Sequence, residues 1–325
     1  MLLETKGPAI KQPIIDAGDL VAHLAECYDL PEEPHVELIR RGFNDHYLVR
    51  AGKDFVLRVY LNGKYYIRGH DDFLYELEWL EYLDANGFPA AAPIRRRDGA
   101  LLGEFRGRHT TLFRYADGQT RASTDRSPHL MEDVGRHVAR LHLLADDFES
   151  PHGRYELDYD CLIGEPLDAL SVELGKRVGG DIGFFDEYAQ RLRDALVALG
   201  KSSGVHGVIH ADLHGRNIHV TDDGRLTFFD FDHCGRGWRA YDLCTFYRGP
   251  TDSRYLSFLR GYESVRPLSH AERDMIPVFR QVRSVWNFGD VLRMASAWGA
   301  SGVDDDELRE AVELLRSLVA EPALP

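Results

Sequence analysis

The chain has 325 residues, 44% hydrophobic and 28% charged, long enough for two lobes that each bury a core. Its 39 Lys and Arg against 53 Asp and Glu leave a net charge of −14, with only small basic clusters such as Arg40-Arg41 and Arg95-Arg96-Arg97, which argues against a nucleic-acid partner. No apolar run approaches the ~20 residues that span a bilayer, so no membrane association is expected.

Met1 to Lys11 lacks a charged start followed by an apolar block, so no secretory signal is read and a cytoplasmic location is expected. Cys27, Cys161, Cys234 and Cys244 lie far apart, which fits four reduced thiols rather than zinc or disulfides. An acidic surface favours a cationic substrate, although most such surfaces serve only solubility.

In chain order, the first third reads as strands. Val36 to Arg41 and His46 to Arg50 flank the turn Gly42-Phe43-Asn44-Asp45. From Phe55 to Tyr60 the residues alternate, placing Phe55, Leu57 and Val59 on one face and Val56, Arg58 and Tyr60 on the other. Asp71 to Asn86 reads as a helix closed by Gly87 and Pro89. Within it Phe73, Glu76, Leu80 and Leu83 share a face, and a carboxylate in an apolar stripe needs a cation. Arg58 is the natural partner for Glu76, another surface cation the alternative. The dipeptide Asp98-Gly99 predicts a hairpin, and His109 to Tyr115 a further strand.

After Gly118 the pattern turns helical. Apolar residues recur at helical spacing within 128–146 and 184–199. Two short strands, Ile218–Val220 and Leu226–Phe229, flank Asp222-Asp223-Gly224. Ser269 and Glu272 form a capping box, and Asp304 can cap a last helix over 305–320. Trp286, Asp290 and Arg293 share a helix face: a Trp beside an acid suits a cationic ligand, but the stripe also fits plain helix packing with a surface ion pair. The pattern predicts an α+β chain, with a small sheet lobe containing one helix over 1–115, a larger helical lobe over 116–325, and a hinge near 114–118.

The chemistry concentrates in 207–246. His210-Ala211-Asp212 is followed by Asn217, then by Asp230-Phe231-Asp232 after a short hairpin. Phosphoryl transfer needs a carboxylate to orient the attacking hydroxyl and accept its proton, and oxygen ligands to hold magnesium against the phosphates. Asp212 suits the first role, Asn217 and Asp230 the second.

These residues resemble the aminoglycoside phosphotransferase and choline kinase superfamily, the small-molecule relatives of protein kinases. Its pattern H-[GA]-D-x-x-x-x-N, then D-[FWL]-[DE], stands here as His210 to Asn217 and Asp230 to Asp232, with a downstream Asp242-Leu243. The resemblance covers nearly the whole chain. It implies a bilobal protein-kinase-like fold, ATP and Mg2+ as cofactors, and a hydroxyl acceptor. By resemblance Asp212 is the base, Asn217 and Asp230 are metal ligands, and His210 and Asp242 support the loop. Asp232 is either a second metal contact or an orienting residue.

The resemblance also places Gly42 and Asn44 at the phosphate-covering turn and Arg58 where many relatives carry a phosphate-binding Lys. An Arg keeps the cation but not the ammonium geometry. Phe113 and Tyr115 fall in the hinge that presents backbone to adenine. Two bacterial branches are nearest in pattern: a homoserine kinase-like group and a stress-response group thought to phosphorylate protein Ser or Thr. The expected function is transfer of the ATP γ-phosphate to a hydroxyl of a small molecule, aminoglycoside-, homoserine- or choline-like. A stress-response-type protein kinase is the alternative, and a nucleotide-binding pseudokinase is disfavoured because Asp212, Asn217 and Asp230 are all present. Oligomeric state is not legible.

Overall fold

The computed structural model describes residues 13–120, 127–179, 181–294, 297 and 303–320. Met1 to Lys11, where no signal segment is expected, lie outside them.

Strands β1 (His35–Arg41), β2 (Asn44–Arg50), β3 (Asp54–Tyr60), β4 (Gly103–Phe105) and β5 (Arg108–Arg114) form an antiparallel sheet in the order β1-β2-β3-β5-β4. The alternation of β3 is realised. Phe55, Leu57 and Val59 bury with Tyr47, Val49 and Leu112 on one face, whereas Tyr60 joins the larger core on the other. Helix α1 (Ala17–Cys27) covers the first face with Leu20 and Leu24, and Asp16 caps its start. This second helix beside the sheet corrects the expectation of one. Helix α2 (His70–Ala85) packs on the opposite face. The Asp72 carboxylate accepts the Arg68 and Gly69 N–H groups at its start, satisfying donors that a helix N-terminus leaves open.

The hairpin expected at Asp98-Gly99 is displaced. Gly99 does make a turn, at φ 84°, but β4 and β5 pair around Arg106-Gly107. Beyond β5 the chain crosses to the helical region. Gln119 exchanges both backbone hydrogen bonds with Val220, and a Cβ on Gly118, at φ 97°, would come within 2.5 Å of the Val220 carbonyl. Only glycine fits that crossing.

The helical region holds α3 (Pro128–Leu144), α4 (Glu165–Arg177), α5 (Asp186–Leu199), α6 (Arg239–Leu243), α7 (Ser253–Glu263), α8 (His270–Arg293) and α9 (Asp305–Ala320). Helices α3 and α7 touch backbone to backbone, since a Cβ on Gly261 would meet the Glu132 carbonyl at 2.0 Å. The Ser269–Glu272 box starts α8, and Asp304 accepts the Glu307 N–H at 2.9 Å. Two small sheets complete this region. Strands β6 (Glu156–Leu157), β7 (His206–Ile209) and β10 (Gly235–Trp238) form one, in the order β6-β10-β7, and β8 (Ile218–Val220) and β9 (Leu226–Phe228) form the other. All four cysteines are unpaired. Among the described residues no helix is long and apolar enough to cross a membrane.

Candidate active site

The loop His210–Asn217 runs from β7 into β8, and Asp230 follows β9, so the two strands of the hairpin bring the loop and Asp230 together. The junction is tied by backbone. Phe229 N–H donates to the Asn217 carbonyl at 3.1 Å, and His210 Nε2 lies 3.1 Å from the Phe229 carbonyl. Asp242, fully buried on α6, accepts the N–H groups of His210 and Ala211 at 2.9 Å each. His142 Nε2 sits 3.2 Å from the same carboxylate. Burial alone would raise the Asp242 carboxyl, but the His142 contact and the backbone donors hold it below the usual range. Ala211 (φ 67°) and Asp230 (φ 65°) both adopt the left-handed region that non-glycine residues rarely visit. Such strain persists only where the surroundings hold it.

At the centre, Asn217 Nδ2 donates to the Asp212 carbonyl at 3.0 Å and to Asp212 Oδ2 at 3.2 Å. Burial pushes the Asp212 carboxyl up, yet nearby His214, Arg283, His233 and His210 hold it at about 2. Burial also lowers His214, whereas the buried Arg283 guanidinium keeps its charge. Asp230 Oδ1 accepts from Arg58 Nη2 at 3.3 Å. Arg58 Nη1 is 2.7 Å from Glu76 Oε1, with both side chains buried. The expected Arg58–Glu76 pair therefore forms, and Arg58 reaches Asp230 rather than solvent.

Asp232 differs from Asp230. Its carboxylate receives Lys64 Nζ at 2.8 and 3.1 Å, Tyr66 Oη at 2.8 Å and Asn44 Nδ2 at 3.0 Å. Its carbonyl accepts from Arg154. Three of these donors converge on Oδ2 and Lys64 alone reaches Oδ1, so the carboxylate is held in a buried clamp. It also engages the Asn44 amide, while Gly42 lies exposed in the β1–β2 turn, where an added Cβ would meet nothing within 4 Å. Phe113 is buried on β5 under the Arg58 guanidinium, 4.8 Å from ring centre to carbon, and Tyr115 follows that strand.

Trp286 and Asp290, on α8, are both buried. The Trp286 ring meets His233 edge-on at 5.0 Å, and Tyr65 Oη donates to Asp290 Oδ1 at 2.7 Å. Arg293 does not pair with Asp290: it binds Glu165 and stacks on Tyr65. No cation lies within ion-pair distance of Asp290 among the described residues, and burial raises its carboxyl.

Residues 35–274 match APH, the phosphotransferase enzyme family. The chain belongs to the phosphotransferase enzyme family. An uncharacterized protein of Deinococcus radiodurans is 32% identical over 295 residues, 86% of this phosphotransferase and 83% of that protein. A homoserine kinase of Rhizobium johnstonii is 30% identical over 246 residues, 72% of each chain. The fold matches an amicoumacin kinase solved with AMP-PNP, Ca2+ and amicoumacin, at TM-score 0.74 and 20% identity over 95% of both chains. It also matches a microcompartment-associated aminopropanol kinase at TM-score 0.72 and 22% identity, over 95% and 99%. The bilobal kinase-like fold expected from the motifs is thereby borne out.

Sequence reasoning missed Arg283, Lys64, Tyr66 and Arg154 in this phosphotransferase. None belongs to a motif. Lys64 stands between Gly63 and two tyrosines in the loop after β3, and nothing in that stretch points to Asp232.

Proposed function

We propose that the protein transfers the γ-phosphoryl group of ATP to a hydroxyl of a small, amine-bearing molecule, with magnesium as the divalent ion. The observation that carries this reading is the convergence of Asp212, Asn217 and Asp230 at one end of the β8–β9 hairpin. Asp212 orients the acceptor hydroxyl and receives its proton. The new P–O bond forms as the bond to ADP breaks, in line. Asn217 donates its amide N–H to Asp212, and its Oδ1 would serve as an oxygen ligand. One protein donor reaches Asp230 among the described residues, which leaves its carboxylate available. Two protein oxygens completed by phosphates and water suit magnesium. The bound ion would neutralise charge developing on the phosphoryl oxygens. Arg58, held by Glu76, supplies a second cation at the phosphates.

The acceptor class follows from Asp290. A buried carboxylate without a cation is costly, and a ligand ammonium would pair it. Trp286, one helical turn before Asp290, supplies an aromatic ring on the same face. Relatives named homoserine kinase and a structural neighbour named aminopropanol kinase support an amino alcohol over a protein acceptor.

The test is transfer from γ-labelled ATP with Mg2+ to 1-amino-2-propanol, L-homoserine, choline, an aminoglycoside and a generic Ser/Thr protein, with Asp212→Asn as control. Label on an amino alcohol, lost in the control and when Mg2+ is chelated, is the expected result. Label on protein alone would install the stress-kinase reading instead.

A further inference from the structure

We infer that Arg283 is the positioning residue that fixes the Asp212 carboxylate for attack, an inference that rests on Asp212 being the base. Arg283 projects from α8, buried to 8% exposure. Its guanidinium spans two consecutive residues: Nη1 donates to the Ala211 carbonyl at 2.8 Å and Nη2 to Asp212 Oδ1 at 2.7 Å. Tyr241 lies behind it, ring centre 5.6 Å from the guanidinium carbon.

The two supports of the loop divide the work. Asp242 takes the N–H groups of His210 and Ala211 and so fixes backbone. Arg283 takes the opposite, carbonyl side of Ala211 and is the cation that reaches the reacting end of the loop, the Asp212 side chain. With Oδ1 held by Arg283, Oδ2 is left facing Asn217 Nδ2 at 3.2 Å and His214 Nε2 at 3.6 Å, with lone-pair capacity for an incoming hydroxyl. A planar fork that grips a carbonyl and a carboxylate at once removes rotation about the Asp212 side chain, which an ammonium on a flexible stem does less well. Catalysis in phosphoryl transfer is largely positioning, so a carboxylate free to rotate loses rate rather than affinity.

The test compares Arg283→Met, Arg283→Lys and Asp212→Asn with the natural chain in Mg·ATP turnover, with 1-amino-2-propanol, L-homoserine and water as acceptors. For Arg283→Met, kcat is expected to fall by roughly ten- to a hundredfold with the ATP KM within about twofold. Arg283→Lys should regain part of that loss, because it restores one prong. Thermal melting identifies any variant that fails to fold, and Arg283→Lys, which keeps the buried cation, then carries the comparison.

Unchanged kcat in both Arg283 variants, with Asp212→Asn inactive, overturns the role of Arg283 and leaves Asp212 as base. A raised acceptor KM at unchanged kcat overturns it too, by making Arg283 an acceptor contact. Full turnover by Asp212→Asn with an acceptor that the natural chain phosphorylates overturns the base reading and this inference with it.

Discussion

Asp230 and Asp232 stand two residues apart at the end of one strand and are built for opposite work. Asp232 is 3% exposed and takes donors from Lys64, Tyr66 and Asn44. Asp230 has a side chain 23% exposed and takes one donor, Arg58, at 3.3 Å. In an extended strand, residues i and i+2 would face the same side. The left-handed backbone at Asp230 breaks that alternation and lets the two carboxylates diverge. Repeated carboxylates in a motif therefore need not share a role. What separates them is how many of their lone pairs the protein has already used.

The sharpest way to break this contrast is to substitute each in turn. Asp230→Asn is expected to cut transfer by roughly 10²- to 10⁴-fold while the melting temperature stays near that of the natural chain, on the scale of losing a group that stabilises the transition state. Asp232→Ala should instead cost about 3–5 kcal/mol of stability, because it strands a buried ammonium. Chemical denaturation and initial rates on the same two variants check this. Equal loss of stability in both would erase the distinction.

Acid sensitivity sharpens it further, since it should arise in the scaffold rather than at Asp232. His206 on β7 is 3% exposed, packs edge-on to Trp238, and has Nε2 without a partner. Burial lowers its pKa to about 4, against about 6.5 in the unfolded chain. The folded value is the lower one, so the unfolded state takes up the proton first and stability falls as pH drops from about 6.5 toward 4. Between pH 7 and pH 5 the natural chain should lose about 2 kcal/mol more than His206→Phe, read by urea denaturation.

The sequence made the loop legible because chemistry fixes its spacing. An oxygen ligand five residues after a base, and an acid past one hairpin, leave few other uses for that pattern. The strand alternation around Arg58 and the stripe holding Glu76 were readable for the same reason, since each is a local period. Helix α1 did carry a period, with Ala17, Leu20, Val21, Leu24 and Cys27 all turned to the sheet core, and reading the first third as strands passed over it. The β4–β5 turn hid behind Arg106, a non-glycine at φ 51°. Arg283 and Lys64 were out of reach for a different reason. Their partners lie 71 and 168 residues away, and nothing local says which arginine or lysine a fold will bury.

The smallest effect is the most discriminating for Asp232. Tyr66→Phe deletes one hydroxyl and keeps the ring, which packs 4.5 Å from His233. Asp232 keeps Lys64 and Asn44, so the carboxylate stays paired and only one charge-assisted hydrogen bond goes, a loss of about 1.5 kcal/mol. The Tyr66 hydroxyl touches neither Asp230 nor Asp212, so kcat should stay within about twofold while stability falls. If kcat instead drops in step with Asp230→Asn, Asp232 takes part in metal binding and the clamp formed by Lys64, Tyr66 and Asn44 serves the reaction directly. A stability loss with rate preserved would mean that the second aspartate of the motif ties the loop after β3 to the catalytic hairpin, leaving the first alone to meet the metal.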